Sequence, residues 1–158
     1  MNALFERYVE NLLRPIARAR GLMMRSQGWE RPCLHPQDGS KAVFQTLPDI
    51  QIHDGGGVRL VIDTKWKRLT DRARDARMDV DQADIYQLMA YAQLYEAPVL
   101  LLYPKHSALV SPMPVTYRIA IADGPTRLTV AALDILSHCS ARDGLEKLLN
   151  GQMDAALD

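Results

Sequence analysis

The period of the apolar residues changes several times along the chain, and each change marks an element. Phe5, Val9, Leu12, Leu13 and Ile16 recur at helical spacing, which predicts an amphipathic helix over residues 3–20, ending at Gly21. Pro15 lies inside that pattern and is expected to kink or divide it. Residues 22–47, punctuated by Pro32, Pro36, Asp38 and Gly39, suit a loop between short strands. From Leu47 the period falls to two, with Pro48, Ile50 and Ile52 on one face. Asp54-Gly55-Gly56-Gly57 is a turn signal. Beyond it Val58, Leu60, Ile62 and Thr64 take one face, and Arg59, Val61, Asp63 and Lys65 the other. Two alternating runs across a glycine-rich turn predict a β-hairpin.

Residues 68–80 are charged and poor in large apolar groups, as in a mobile surface loop. A second helix is expected from Asp81, N-capped by Asp79 or Asp81, with Ile85, Leu88, Met89 and Ala92 as its buried stripe. It ends before Pro98. Residues 98–103 predict a buried strand stopped by Pro104. Residues 115–121 and 127–132 predict two more strands, joined by an Asp123-Gly124-Pro125 turn, and a short helix near 142–150 closes the chain. The order is helix, hairpin, helix, strand, hairpin, helix. With no repeat or linker in 158 residues, a single domain over 1–158 is expected.

An apolar fraction of 47% with 24% charged residues argues against disorder over most of the length. The longest apolar runs, such as Val99 to Tyr103, are too short to span a bilayer. Glu6 and Glu10 near the start do not suit a signal peptide. Cys33 and Cys139 stand far apart, which fits free thiols in a reducing cytoplasm rather than a zinc site. Net charge is zero but unevenly spread. Residues 1–80 hold 14 Lys and Arg against 10 Asp and Glu, and residues 81–158 hold 5 against 9. Two basic segments cause this: Arg14, Arg18, Arg20, Arg25 and Arg31, then Lys65, Lys67, Arg68, Arg72, Arg74 and Arg77. Each is either a phosphate-binding patch or a solvated surface.

Strand alternation sends Asp63 and Lys65 to the same side, and Asp49 lies opposite the apolar face of its own strand. A hairpin whose apolar faces turn to one core therefore presents Asp49, Asp63 and Lys65 together. Crowded carboxylates repel, and a divalent cation is the usual relief. Mg²⁺ prefers oxygen ligands and keeps waters, so two carboxylates and a main-chain carbonyl leave room for a phosphate oxygen. That suits phosphodiester hydrolysis, with Lys65 orienting water and offsetting charge in the transition state. Pro-Asp and Asp-x-Lys are short, and each also occurs as a turn or a surface ion pair; their joint placement on paired strands is the stronger signal. Asp84, Gln87 and Tyr91 form a polar stripe at i, i+3 and i+7. Gln87 either reaches the site or the phosphate backbone or is solvated, with Asp84 serving the helix dipole. His35, His53, His106 and His138 have no ligand spacing. His53 shares the polar face of the Asp49 strand, as a DNA contact or a solvated edge residue. Trp66 is expected in the core beyond Thr64, and Tyr86, Tyr91 and Tyr95 at helix-packing positions.

Leu47-Pro48-Asp49-Ile50, then Ile62-Asp63-Thr64-Lys65-Trp66, then Asp84-Ile85-Tyr86-Gln87-Leu88-Met89-Ala90-Tyr91-Ala92 resemble the catalytic domain of the McrC family, the nuclease subunit of the McrBC 5-methylcytosine-dependent restriction system. Leu4-Phe5-Glu6-Arg7-Tyr8-Val9 resembles its first helix, and Leu101-Leu102-Tyr103-Pro104 the strand after the glutamine helix. The resemblance covers roughly residues 4–104 and is loose over 105–158. It implies an α/β, restriction-endonuclease-like PD-(D/E)xK core, with a mixed β-sheet flanked by helices. It also implies Mg²⁺ dependence, with Mn²⁺ substituting, and double-stranded DNA as substrate. Carried over by residue, Asp49 and Asp63 would be metal ligands, Thr64 would offer its carbonyl to the metal, and Lys65 would be the catalytic lysine. Gln87 would be the motif glutamine. Glu6 would match the first-helix acid, with Glu10 as the alternative; for either, an ordinary pair with an arginine such as Arg14 is the other reading.

Full-length members carry an N-terminal region that docks on McrB, an AAA+ GTPase. This chain starts almost at the nuclease domain, so it is expected to be a stand-alone relative, a split product or a fragment, and control by a McrB-type GTPase stays open. A double-strand cut needs two sites, which a homodimer would supply. The sequence thus points to a Mg²⁺-dependent DNA endonuclease of a McrBC-like restriction system. The alternative is a non-cutting DNA-binding or assembly subunit of the same fold, acting with the AAA+ GTPase.

Overall fold

The computed structural model describes residues 1–27, 31–69, 79–109, 113–120 and 126–154. The amphipathic stripe near the N-terminus forms α1 (Asn2–Ala19), which is one helix through Pro15 rather than two. Gly21 follows it at φ +68, a left-handed conformation that glycine adopts at little cost. Strands β1 (Met23–Ser26), β2 (Arg31–Leu34) and β3 (Val43–Thr46) come next. The glycine-rich turn joins β4 (Ile50–Asp54) to β5 (Gly57–Thr64), the expected hairpin. Helix α2 (Gln82–Tyr95) is capped by Asp81, whose side chain accepts from the Ala83 N–H, and it ends at Glu96 in a left-handed conformation. Then come β6 (Val99–Pro104), β7 (Val115–Arg118), β8 (Arg127–Leu133) and α3 (His138–Asp154). The expected Asp123-Gly124-Pro125 turn and most of the 68–80 loop lie outside the described residues.

Six strands make one mixed sheet in the order β1-β4-β5-β6-β8-β7, while β2 and β3 form a separate antiparallel ribbon. Pairs β5–β6 and β6–β8 are parallel; β1–β4, β4–β5 and β7–β8 are antiparallel. This is the mixed sheet flanked by helices that the sequence predicts. Alternation divides each central strand between two cores. Leu60 and Ile62 of β5 and Leu100 and Leu102 of β6 face α1 and α3, meeting Phe5, Val9, Leu13, Leu145 and Leu149. Val61, Val99, Leu101 and Val130 face α2, meeting Leu88, Tyr91 and Tyr95.

Several elements differ from what the periodicity predicts. Both faces of β5 are covered: Leu60 through Thr64 are all buried, because β5 is an inner strand with a helix layer on either side. The buried stripe of α2 is Asp84, Leu88, Tyr91, Ala92 and Tyr95, with Ile85 and Met89 only partly covered. Tyr91 and Tyr95 therefore pack as expected, but Tyr86 is 59% exposed. Trp66 is also 40% exposed, lying edge-on to Phe5 at 5.7 Å instead of in the core. Finally, α3 starts at His138, one turn or so before the expected 142–150 span, and carries Ala141, Leu145 and Leu149 on its buried side.

Candidate active site

The site forms where β5 runs out at the level of α2. Ile50 pairs with Ile62 across the hairpin, so Asp49, just before β4, comes opposite Asp63. Asp49 Oδ2 accepts two hydrogen bonds from Thr64, one from its N–H at 2.8 Å and one from its hydroxyl at 2.7 Å. Thr64 is fully buried and Asp49 partly so, and the two bonds fix the carboxylate beside β5. Asp63 is only 2% exposed, on the α2 face next to Val61 and across from Leu101 of β6. Two residues on, Lys65 leaves the strand on the same side and brings Nζ to 2.5 Å from Asp63 Oδ2. The Lys65 N–H donates to the Leu102 carbonyl at 2.9 Å, extending the β5–β6 ladder and holding the lysine's main chain.

Helix α2 supplies the third wall. Lys65 Nζ donates to Gln87 Oε1 at 3.2 Å, and Gln87 Nε2 donates to the Tyr91 hydroxyl at 2.7 Å. The stripe at positions 84, 87 and 91 thus faces the site, and Gln87 reaches the lysine. Asp84, 7% exposed, is more than a helix-dipole residue: Lys67 Nζ lies 2.8 Å from its Oδ2, and Lys65 Nζ 4.0 Å from its Oδ1. Lys67 also pairs with Asp81 at 3.3 Å. The second basic segment therefore spends Lys65 and Lys67 on carboxylates of this site; Arg72, Arg74 and Arg77 lie outside the described residues. In the first segment, Arg31 donates to the Leu94 carbonyl at 2.5 Å and lies 5.1 Å over the Tyr95 ring, which is a packing role.

Glu6, on α1, is 8% exposed and accepts from Gln27 Nε2 at 2.9 Å. Arg14 does not pair with it but donates to Ser26 Oγ at 3.4 Å. Glu6 and Glu10 both line a polar groove of about 420 Å³ with Arg7, Asn11, Arg14 and Gln27, and Glu6 is the more buried of the two, close enough to Asp49 to feel its charge. His53 stands apart, its Nε2 3.0 Å from Gln51 Oε1, and burial with Arg25 and Arg31 nearby lowers its pKa below the ordinary imidazole value.

Electrostatics register the crowding. Burial, then the Asp49 charge, push the Asp63 carboxyl up to about 6, against the opposing pull of Lys65. Burial also raises Glu6, with Asp49 and Glu10 adding to the rise and Gln27 opposing it. The Tyr91 phenol is pushed up to about 12 by burial and by Asp63, so it stays protonated as a neutral partner for Gln87. Asp63 Oδ2 has no partner among the described residues besides the Lys65 ion pair. An almost wholly buried carboxylate oxygen with one cationic neighbour, beside a second carboxylate, is a donor set that fits a hard divalent cation. No cluster of three or more His, Cys, Asp or Glu suited to a metal occurs among the described residues, so Asp49 and Asp63 would need a main-chain oxygen, such as that of Thr64, and water to complete a shell.

Comparison with known proteins gives the family and the fold. A model of the McrBC family, described as a McrBC 5-methylcytosine restriction system component, matches residues 1–104. The chain belongs to this family. The matched span holds α1, the hairpin, α2 and β6, and so every residue of the site just described. No curated protein matches. Among solved structures, a chain of the Thermococcus gammatolerans assembly of McrB AAA+ hexamers with bound McrC shares the fold, with a TM-score of 0.66 at 18% identity. The match covers 96% of this chain and 33% of that one, so this McrBC-family chain spans about a third of its solved counterpart. Residues 105–154, beyond the family match, still take part in the shared fold through β7, β8 and α3.

Of the residues legible in the sequence, Thr64 holds Asp49, and Lys65 joins Asp63 to Gln87; the Asp49 charge acts on Asp63 between the two groups, and Glu6 lies at the edge. The sequence missed the inward position of Asp84 and the contacts of Gln27. The Lys67–Asp84 spacing carried no signal, since the residues meet only when α2 docks on the sheet.

Proposed function

We propose that this McrBC-family chain is a Mg²⁺-dependent DNA endonuclease, hydrolysing phosphodiester bonds as the nuclease component of a McrBC-like restriction system. The observation that carries the reading is the Asp63–Lys65 pair, with Nζ 2.5 Å from a buried carboxylate and Asp49 beside it. Asp49, Asp63 and the Thr64 carbonyl would hold the cation, with Mn²⁺ as a substitute. When bound, the cation supplies Lewis acidity at the phosphate and neutralises the carboxylate charge.

The chain's own residues do the rest. Lys65, freed from part of its attraction to Asp63 once that charge is shared, orients a water and offsets charge that grows on the phosphate oxygens. Gln87 aims Lys65, and Tyr91 aims Gln87. The substrate is double-stranded DNA. A McrB-type AAA+ GTPase is the proposed partner, in line with the solved assembly that shares the fold. A homodimer would give a second site for the second strand.

A second reading is an assembly subunit that cuts only when docked on its GTPase. Zero net charge favours it, because nonspecific DNA affinity comes from neutralised phosphates. Plasmid nicking by the chain in Mg²⁺, in Mn²⁺ and in EDTA, alone and with a McrB-type partner, decides the matter. Metal-dependent nicking that is weak alone and strong with partner is the expected result. No cutting under any of these conditions would leave only a binding role.

A further inference from the structure

Gln27 follows β1 directly and falls opposite Asp49, because Ser26 pairs with Ile50. Its N–H donates to the Asp49 carbonyl at 3.0 Å, and its side-chain Nε2 donates to Glu6 Oε1 at 2.9 Å. One residue thus ties the main chain of a site carboxylate to the side chain of another carboxylate 21 positions earlier, on a different element. It does so at φ 45, a left-handed conformation that costs a non-glycine residue about 1–2 kcal/mol. A turn that needed only the backbone shape would be served better by glycine. The glutamine side chain is what that conformation aims at Glu6.

We infer that Gln27 is a positioning residue of the nuclease site, its main chain fixing Asp49 and its amide fixing Glu6 so that the charge of the α1 glutamate is held on the Asp49 side of the site. The inference rests on the proposed nuclease reading. An amide suits this task better than a cation. It holds the carboxylate by a hydrogen bond without itself neutralising the charge, and Glu6 makes no ion pair among the described residues, though the Arg7 charge acts on it from farther off. A lysine or arginine there would neutralise the charge that a bound cation needs. Glu6, which takes this contact, is buried, whereas Glu10 one turn later is only partly so. Partners that orient metal-site carboxylates in this way are worth about 10–100-fold in metal affinity when removed.

The test is Mn²⁺ binding to the whole chain, followed by calorimetry and by the electron paramagnetic resonance of the bound ion. Gln27→Gly keeps the N–H bond to Asp49 and suits the left-handed φ, so it removes only the reach to Glu6. It is expected to fold as the parent does and to bind Mn²⁺ about tenfold more weakly. In a Glu6→Gln background the same change should cost nothing further. Parent-like affinity in Gln27→Gly overturns the inference, and so does an equal loss in the Glu6→Gln background. Asp63→Ala separates the two levels. If it abolishes binding while Gln27→Gly has no effect, only the role of Gln27 falls. If Mn²⁺ binding survives Asp63→Ala, the proposed nuclease site falls and the role of Gln27 with it.

Discussion

Lys65 lies between Asp63 and Gln87, with its Nζ 2.5 Å from the carboxylate and 3.2 Å from the amide oxygen. The two contacts come from different layers, one from the strand itself and one from the helix packed over it. A lysine held from two sides has a defined position before any substrate arrives, which is what transition-state stabilisation requires. If that position matters, Lys65→Ala should lower DNA cleavage by about 100-fold or more. Gln87→Ala, which leaves the lysine but removes its guide, should lose about tenfold, mainly in kcat. Gln87 is exposed, so its removal should barely move the melting temperature. Single-turnover kinetics with saturating Mg²⁺ reads both effects; equal, large losses in both variants would mean that Gln87 does more than aim the lysine.

Asp63 makes a prediction about pH. Its carboxyl is raised from 3.8 to about 6, so the folded chain holds a proton that the unfolded chain releases between those values. Stability from this group is therefore fully present below pH 4 and lost as pH rises through 6. The loss at pH 7 is on the order of 3 kcal/mol. In EDTA, the difference in unfolding free energy between Asp63→Asn and the parent should be small at pH 4 and favour the variant at pH 7. Added Mn²⁺ should stabilise the parent only. A variant less stable than the parent at pH 7 in EDTA would show that the Lys65 pair outweighs burial and the Asp49 repulsion.

Thr64→Val tests the clamp on Asp49. Valine keeps the shape of threonine but removes the hydroxyl that donates to Oδ2, leaving the N–H bond in place. A loss of about 1–2 kcal/mol in stability is expected in chemical denaturation. Weaker Mn²⁺ binding should accompany it, since Asp49 gains freedom. Unchanged metal affinity would mean that the N–H alone positions the carboxylate.

The docking of α2 can be probed away from the chemistry. Leu88 is fully buried against Val61 and Leu101 on the sheet, and it lies next to Gln87 in the helix. Leu88→Ala should cost roughly 2–5 kcal/mol. Because α2 carries Asp84, Gln87 and Tyr91, cleavage should fall even at temperatures where the variant is still folded. Full activity in a folded Leu88→Ala chain would show that the site does not depend on the seating of α2.

What was legible in the sequence was what strand and helix periods encode. The alternation of residues 47–65 put Asp63 and Lys65 on one side, because a one-residue step flips a side chain to the other face. The pairing itself carried less signal: the turn pairs Asp54 with Gly57, and a register shift between Ile52 and His53 then brings Asp49 opposite Asp63 rather than Ile62. What alternation could not reveal is that β5 is covered on both faces. Val61 and Asp63 sit under α2, so the acid is buried rather than displayed on an open face, and this is the source of its raised pKa. Asp84 looked like a first-turn residue for the helix dipole, since its partners Lys65 and Lys67 meet it only across the α2–sheet contact. Trp66 and Tyr86 were expected inside on apolar character alone, yet one lies at the end of β5 and the other on the outer side of α2. Gln27 carried no signal at all. Its role follows from the β1–β4 register, which brings it opposite Asp49.

The proposed function stands on Asp49 and Asp63 holding a divalent cation next to Lys65. A crystal of the chain soaked in Mn²⁺ and measured at the manganese absorption edge tests it most directly. An anomalous peak in contact with both carboxylates is expected. A peak elsewhere on the chain, with none at Asp49 and Asp63, would contradict it.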